Sequence, residues 1–381
     1  MKQKNKIPKK WKKEILKDIA IVFDGQHTTP KYVDYGIPFY SVENIVSGEP
    51  VKYISKEEYK INTKKNKPLK GDILISRIGT LCKNIIATWE GNYAIYVTLA
   101  LIRSKVRDVS NKFLHQFFQT HMYNKDFFSK SLLIAYPQKI NMEDLEKTSV
   151  LIPPIKEQEK IVDILELWDK AIETTKKLIE QKKLQKKYLM QKLLTGKIRL
   201  KGFKDKWKNN QLKTLCSIKK GEQLNSNQLS EQNLYSCLNG GILPSGYTNK
   251  WNTEKNTITI SEGGNSCGYV NFMKNRFWAG GHCYTLINVG INLEFLYLVL
   301  KLKEKQIMLL RVGSGLPNIQ KTDLEKMCIK VPTDIAEQKA IADILSTANK
   351  QIDLLKQKLS KLELEKKGLM QKLLTGQIRV C

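Results

Sequence analysis

Acidic residues are scarce in this chain, with 37 Asp and Glu against 65 Lys and Arg, a formal charge of +28 over 381 residues. So large a surplus resists compaction and calls for a polyanionic partner or constant screening, which puts nucleic acid first and a membrane surface second. A bias toward Lys, Asn and Ile in the composition accounts for part of it. Long apolar runs are missing. None approaches the ~18 residues of a membrane span, and the basic segment Met1–Lys13 lacks the apolar core of a secretory signal. The seven cysteines are odd in number and contain no CxxC pair, which suits free thiols in a reducing cytoplasm. Of the four histidines (His27, His115, His121 and His282), only His282 adjoins a cysteine. Cys283 and Cys267 supply no second spaced pair, so no zinc or other metal site is expected.

Catalytic motifs are equally thin. No GxxxxGK[ST] phosphate loop is present, and no Gly-rich strand–turn–helix fingerprint suggests a bound dinucleotide or S-adenosylmethionine. Leu151-Ile-Pro-Pro-Ile155 has the prolines of an adenine-methylating Asn-Pro-Pro-Tyr box without its Asn and aromatic residue. Glu337-Gln338-Lys339 fits half of a nuclease motif, but Asp334 lies too close to be a partner carboxylate on a separate strand; helix capping by Asp334 and Glu337 is the better reading. Ser, His and Asp show no linked local pattern. The chain reads as a binder with no catalytic residues of its own.

What is present is a repeat. Tyr188-Leu-Met-Gln-Lys-Leu-Leu-Thr-Gly-Lys-Ile-Arg-Leu200 returns 180 residues later as Gly368-Leu-Met-Gln-Lys-Leu-Leu-Thr-Gly-Gln-Ile-Arg-Val380. Glu157-Gln158, with Ile161, Asp163, Ile164 and Leu165, returns at the same offset as Glu337-Gln338, with Ile341, Asp343, Ile344 and Leu345. Between these anchors Ile161, Leu165, Trp168, Ile172, Thr175, Ile179, Lys182, Lys186, Leu189 and Leu193 alternate at spacings of four and three. Ile341, Leu345, Ala348, Ile352, Leu355, Leu359, Leu362, Lys366, Leu369 and Leu373 do the same. That is a heptad seam. With Pro154 and Asp334 at the starts and Gly196 and Gly376 at left-handed C-caps, it predicts two helices of roughly 36 residues, about 55 Å each. Two helices of equal length and phase are expected to pack antiparallel against each other, with a globular body at each end of a stiff rod.

The fold class is therefore α+β, with two globular bodies joined by two long antiparallel helices forming a coiled coil in a pseudo-two-fold arrangement. The boundaries fall at 1–155 and 201–333 for the bodies, and at 156–200 and 334–381 for the helical regions. Both bodies open with a tryptophan, Trp11 and Trp207. Both carry a strand-like run, Gly71-Asp-Ile-Leu-Ile-Ser-Arg-Ile-Gly79 and Asn256-Thr-Ile-Thr-Ile-Ser-Glu-Gly-Gly264, and both end in a polar Pro loop. A scaffold kept while its loops diverge is the pattern of paired recognition modules.

Phosphate contacts need Lys, Arg, hydroxyls and backbone N–H groups, and base reading needs polar side chains on loops that enter a groove. In the first body these are Gln26, His27, Thr28, Thr29, Lys31, Ser41, Asn44, Arg77, Lys83, Tyr136, Gln138 and Lys139. In the second they are Lys219, Lys220, Gln223, Asn225, Asn239, Ser245, Tyr247, Asn265, Arg311, Ser314, Asn318, Gln320 and Lys321. For any one of them a solvated loop position is the commoner outcome; the set is the stronger statement. The lysine clusters of the helices form a solvated face or cover phosphates. Met190, Leu194, Met370 and Leu374 are apolar off the seam and are expected to form a partner-docking surface.

Together these features resemble the specificity subunit of type I restriction-modification enzymes, across essentially the whole chain. That family alternates two target recognition domains with two helical repeats. Its linker, Pro then Glu-Gln, a long helix and Leu-Leu-Thr-Gly, stands here as Pro153…Glu157-Gln158…Leu193-Leu-Thr-Gly196 and Pro332…Glu337-Gln338…Leu373-Leu-Thr-Gly376. Gly25-Gln-His-Thr-Thr-Pro30 and Asn239-Gly-Gly-Ile-Leu-Pro-Ser-Gly-Tyr247 look like two recurrent domain types. The resemblance implies that each domain reads one half of a split, asymmetric double-stranded DNA target and that the helices set the spacer. It implies docking of two methyltransferase subunits and two ATP-dependent restriction subunits, with S-adenosylmethionine, ATP and Mg²⁺ used by those partners and no cofactor in this chain. Adding or deleting a heptad within Lys170–Lys187 alone should then abolish or re-space recognition. A cytoplasmic location without membrane association follows. Three rival readings remain at this level: a type IIB-like specificity subunit, a homodimeric coiled-coil regulator, and a self-sufficient nuclease or methyltransferase.

Overall fold

The computed structural model describes residues 7–47, 51–64, 66–232, 234–313, 315 and 317–380. It divides into two compact units, Met1–Thr175 with Lys358–Cys381, and Lys176–Gln357. This division differs from the one drawn along the sequence. Each unit takes a head, the start of one long helix and the end of the other.

In the first unit, strand Lys12–Ile15 pairs antiparallel with Ser149–Ile152, which leads directly into the first long helix, Ile155–Leu193. The main sheet runs Ala20–Asp24, Leu99–Ser104, Ile73–Ser76, Asn84–Ile86, all antiparallel. Ile73–Ser76 is buried along its whole length. Ile73 and Ile75 on one face meet the helices Asn111–Phe117 and His121–Ser129, and Leu74 on the other packs with Tyr40, Tyr93 and Leu101. Apolar residues on both faces, rather than alternation, mark a strand covered on both sides. A second sheet orders Tyr32–Val33, Lys52–Ile54, Ile37–Tyr40 and Ala94–Ile95.

The second unit repeats the plan. Trp207–Gln211 pairs with Cys328–Pro332, which leads into the second long helix, Ile335–Leu374. Its main sheet runs Ser217–Lys220, Cys283–Ile287, Thr257–Ser261, Val270–Met273. Its smaller sheet again contains one parallel pair, Tyr235–Leu238 with Trp278–Ala279, as Ile37–Tyr40 pairs with Ala94–Ile95 in the first unit.

The long helices have 39 and 40 residues, slightly more than the heptad pattern alone predicts. Every expected seam position is buried or half-buried, the polar breaks Lys182, Lys186 and Lys366 included. Within the first unit the two helix segments run antiparallel, with Lys366 Nζ 2.6 Å from Asp169 Oδ1. Both helices end alike. Gly196 and Gly376 have φ of 70° and 72°, and Thr195 and Thr375 each donate from Oγ1 to the carbonyl four residues back, at 2.6 Å.

Two expectations are corrected. Glu337 does not complete a capping box. Asp334 Oδ1 accepts from Ala336 N at 2.7 Å, but Glu337 is fully buried and its carboxylate is taken by Arg199, at 2.5 and 2.7 Å, and by Trp207 Nε1, at 3.4 Å. Nor are the apolar helix ends a free docking surface. Leu374 is 0% and Met370 7% exposed within the core of the first unit, Leu194 is 3% exposed within that of the second, and Met190 packs against it. The reason is apolar burial: each helix end covers the head of the unit it belongs to, which its own sequence neighbourhood could not show.

Candidate nucleic-acid interface

In the first unit three loops meet at one end of the main sheet. Asp24 ends the first strand, Arg77 follows Ile73–Ser76, and the hairpin around Tyr136 returns at Ile140. Ile140 N donates to Arg77 O at 2.9 Å and Gly79 N to Gln138 O at 2.8 Å. Arg77 is the fastener, not a DNA-facing cation. It is 7% exposed, and its guanidinium donates to Asp24 Oδ2 at 3.2 Å, Val97 O at 3.0 Å and Ile140 O at 3.3 Å. Burial pushes its pKa down, against the opposing pull of Asp24. Ser41 and Asn44 are also largely internal in role. The Asn44 Oδ1 accepts from Ser41 N at 2.7 Å, closing a capping box on helix Val42–Val46. Gln26, half-buried, donates to Glu58 Oε1 at 3.0 Å and Thr28 Oγ1 at 2.9 Å. His27, Thr28, Thr29, Lys31, Lys83, Tyr136 and Gln138 are exposed on or beside these loops, and Lys139 is half-buried. The hairpin tip is apolar and open: Ile134 and Tyr136 are fully exposed.

The second unit builds the same junction from other residues. Glu262 follows Thr257–Ser261 as Arg77 follows Ile73–Ser76, and Ile319 N donates to its carbonyl at 2.8 Å. Its carboxylate accepts from Lys220 Nζ at 2.5 Å and Tyr284 OH at 3.2 Å, and lies 3.2 Å from His282 Nδ1. Burial and the neighbouring Glu262 push the Tyr284 phenol up to about 12. Asn239, half-buried, holds the turn through Oδ1, which accepts from His282 N at 3.2 Å. Lys219, Gln223, Asn225, Ser245, Tyr247, Asn265, Arg311, Asn318, Gln320 and Lys321 are exposed; Ser314 lies outside the described residues.

The two junctions are related by a reversal of charge. Asp24 pairs in register with Ala100, and Lys220 with Tyr284; Ile75 faces the same Ala100 and Ile260 the same Tyr284. Asp24 and Lys220 are thus equivalent, as are Arg77 and Glu262. The frame keeps an ion pair at that point and exchanges its ends. Asp24, Glu262 and His282 are absent from the expected DNA-contact residues; His282 stood out in the sequence only for its place beside Cys283. The signal for Glu262 was in view, since the aligned runs Gly71–Gly79 and Asn256–Gly264 put it opposite Arg77.

Among the described residues no group of three His, Cys, Asp or Glu could hold a metal, and no helix is long and apolar enough to cross a membrane. The thiols of Cys82, Cys216 and Cys283 are pushed up to about 12 by burial.

A family model described as a type I restriction modification DNA specificity domain matches residues 8–183 and again 204–364. A putative type I specificity subunit of Mycoplasma pneumoniae is 37% identical over 163 residues, 42% of this chain and 43% of that protein. A similar protein of Mycoplasma genitalium is 35% identical over 150 residues, 39% of each, so these alignments span less than half of the relatives' length. The putative type I restriction enzyme MjaX specificity subunit of Methanocaldococcus jannaschii is 29% identical over 413 residues, covering 98% of this chain and 95% of its own. The crystal structure of a type I restriction-modification S subunit from M. genitalium aligns with a TM-score of 0.64 at 19% identity over 98% of both chains, which establishes a shared fold.

Proposed function

The chain belongs to the type I restriction-modification DNA specificity family, and we propose on that premise that each head binds one half of a bipartite, asymmetric double-stranded DNA target. The observation that carries this reading is the pair of junctions: one frame, built twice, with the loops and even the ion-pair polarity changed between copies. Identical reading surfaces would suit a palindrome; these suit two unrelated half-sites. Base contacts would come from the exposed loop residues named above, and backbone contacts from the basic surface, which should make binding steeply salt-dependent.

Methylation and cleavage then belong to partners, two methyltransferase and two restriction subunits, which would use S-adenosylmethionine, ATP and Mg²⁺. With the helix ends buried, a repeated exposed leucine is a better docking candidate. Leu184 and Leu364 stand 180 residues apart at equivalent places and are 67% and 71% exposed. The homodimeric-regulator reading loses support, because within each unit the chain's own helix segments fill the seam.

Single-molecule mapping of adenine methylation, in cells with and without this gene, tests the proposal. An asymmetric two-part motif that disappears with the gene supports it. A palindromic motif, or methylation and cleavage by the purified chain alone, overturns it.

A further inference from the structure

We propose that His27 and His282 are base-reading residues, one in each head, each held in its reading pose by a carboxylate that an ion pair locks in place. The inference rests on the DNA-binding reading above and adds to it a specific pair of side chains with their orienting partners.

The two sites share a design but not a sequence. In the first head Asp24 Oδ2 accepts from buried Arg77 at 3.2 Å and contacts His27 Nε2 at 2.9 Å. In the second, Glu262 Oε1 accepts from Lys220 at 2.5 Å while Oε2 contacts His282 Nδ1 at 3.2 Å. The carboxylates are mostly covered, with side chains 24% and 11% exposed, and the imidazoles project, 72% and 61% exposed. The histidines also arrive from different directions. His27 follows the first strand of its sheet, whereas His282 precedes strand Cys283–Ile287. With the ion pair reversed, the carboxylate moved to the other strand, and a histidine from another loop met it there. A pair whose imidazole is this exposed adds little to a fold, so stability does not account for its appearing in both heads. Two of the four histidines in the chain are placed this way.

The chemistry follows from the carboxylate. A carboxylate only accepts, so the ring nitrogen facing it carries hydrogen. The other nitrogen, Nδ1 of His27 and Nε2 of His282, then faces away from it. As a neutral ring it accepts from the amino group of adenine or cytosine; as a cation it donates to guanine N7 or O6. Either is a contact to a base edge in the major groove. Beside His27 in the chain stand exposed Thr28 and Thr29. Around His282 stand Asn239, Gly240 and Gly263, and a Cβ on Gly240 would come within 3.0 Å of the His282 side chain and backbone.

The test uses the assembled complex with its methyltransferase subunits and the DNA target found by methylation mapping. Binding and methylation are measured on the target and on every single-base variant of each half-site. His27→Ala should lose roughly ten-fold discrimination at one or two base pairs of one half-site, and His282→Ala the same in the other half-site only. Asp24→Asn and Glu262→Gln, as positioning residues, should relax the same base pairs as the histidines they hold, a coincidence that a merely structural role would not produce. Both histidines are exposed, so their variants should fold, which thermal unfolding verifies; His27→Gln and His282→Gln serve as second variants. Unchanged base preference in all histidine variants overturns the proposal. Weakening that is uniform over all sequences also overturns it, since it reassigns the rings to phosphate. A wild-type complex with no sequence preference brings down the DNA reading itself, a separate outcome seen before any variant is made.

Discussion

Arg379 reaches Glu157 across 222 residues of sequence with two hydrogen bonds, 2.5 and 2.8 Å long. Its guanidinium lies 5.7 Å from the centre of the Trp11 ring, and Trp11 Nε1 donates to the same carboxylate at 3.1 Å. Arg199, Glu337 and Trp207 build the same cluster in the second unit, the arginine 5.9 Å from the ring centre. Glu157 and Arg199 come from one repeat, Glu337 and Arg379 from the other. Each repeat therefore opens one cluster and closes the other, and the heads are sealed crosswise.

Arg379→Ala should destabilise the first unit by about 2–4 kcal/mol, because it leaves a 7% exposed carboxylate without its cation. Arg379→Lys should recover little, since a lysine cannot make the two-pronged contact. Burial alone would raise the Glu157 pKa, but the hydrogen bonds of Arg379 and Trp11 and the charge of Arg379 outweigh it and hold it below the ordinary value. The stabilisation is thus complete above the unfolded carboxylate pKa and is lost as pH falls through the folded one. Thermal unfolding from pH 7 to pH 3 should show the wild-type advantage over Arg379→Ala shrinking below about pH 4.5.

Leu374→Ala and Leu194→Ala should each cost about 2–5 kcal/mol, the range for emptying a buried leucine site. Leu184→Glu and Leu364→Glu should change stability by less than about 0.5 kcal/mol but weaken capture of the methyltransferase subunit. Paired unfolding and co-purification measurements separate core from docking; normal melting of Leu374→Ala would contradict the core assignment.

Asp24→Lys with Arg77→Glu copies the polarity of the second head into the first. Each single change should cost about 2–4 kcal/mol by burying like charges together, and the double should recover roughly half. Full recovery is not expected, because Val97 O and Ile140 O lose the donors that Arg77 supplies. A double-mutant cycle by thermal unfolding checks it; strictly additive losses would argue against the pairing.

Gly376→Ala should destabilise more than Gly196→Ala. Both positions have φ near +70°, about 1–2 kcal/mol of strain for a side chain. An added Cβ would lie 2.3 Å from Pro8 Cγ at the first but 3.2 Å from the Trp207 ring at the second. The two melting temperatures measure the order.

Maleimide at pH 8 should label exposed Cys328 in the folded chain and spare buried Cys82, Cys216 and Cys283, whose thiols are pushed up to about 12. Peptide mass mapping shows the pattern, and rapid labelling of any of the three would count against their burial.

Much of this was legible in the chain itself. The heptads, the Leu-Leu-Thr-Gly ends and the left-handed glycines are local, so period and turn chemistry sufficed to place both long helices and their stops. The two strand runs Ile73–Ser76 and Thr257–Ser261 were visible for the same reason. Glu157 and Glu337 were visible as a repeated pair, but their role was not. A capping box is a contact within four residues, whereas the partners these carboxylates take lie 130 to 222 residues away. Met370 and Leu374 misled for a related reason: the head they cover is remote in sequence, so their burial left no periodic mark.

The duplication, the extent and caps of the helices, and the divergence of the heads are written in the chain, because they depend on spacing and on neighbours along it. Which helix end seals which head, that Arg77 is buried as a fastener of loops, and that His27 and His282 stand on ion-paired carboxylates emerge on folding alone. Those facts depend on which distant groups meet once apolar faces are buried, and a charge such as Glu262 finds its partner only there.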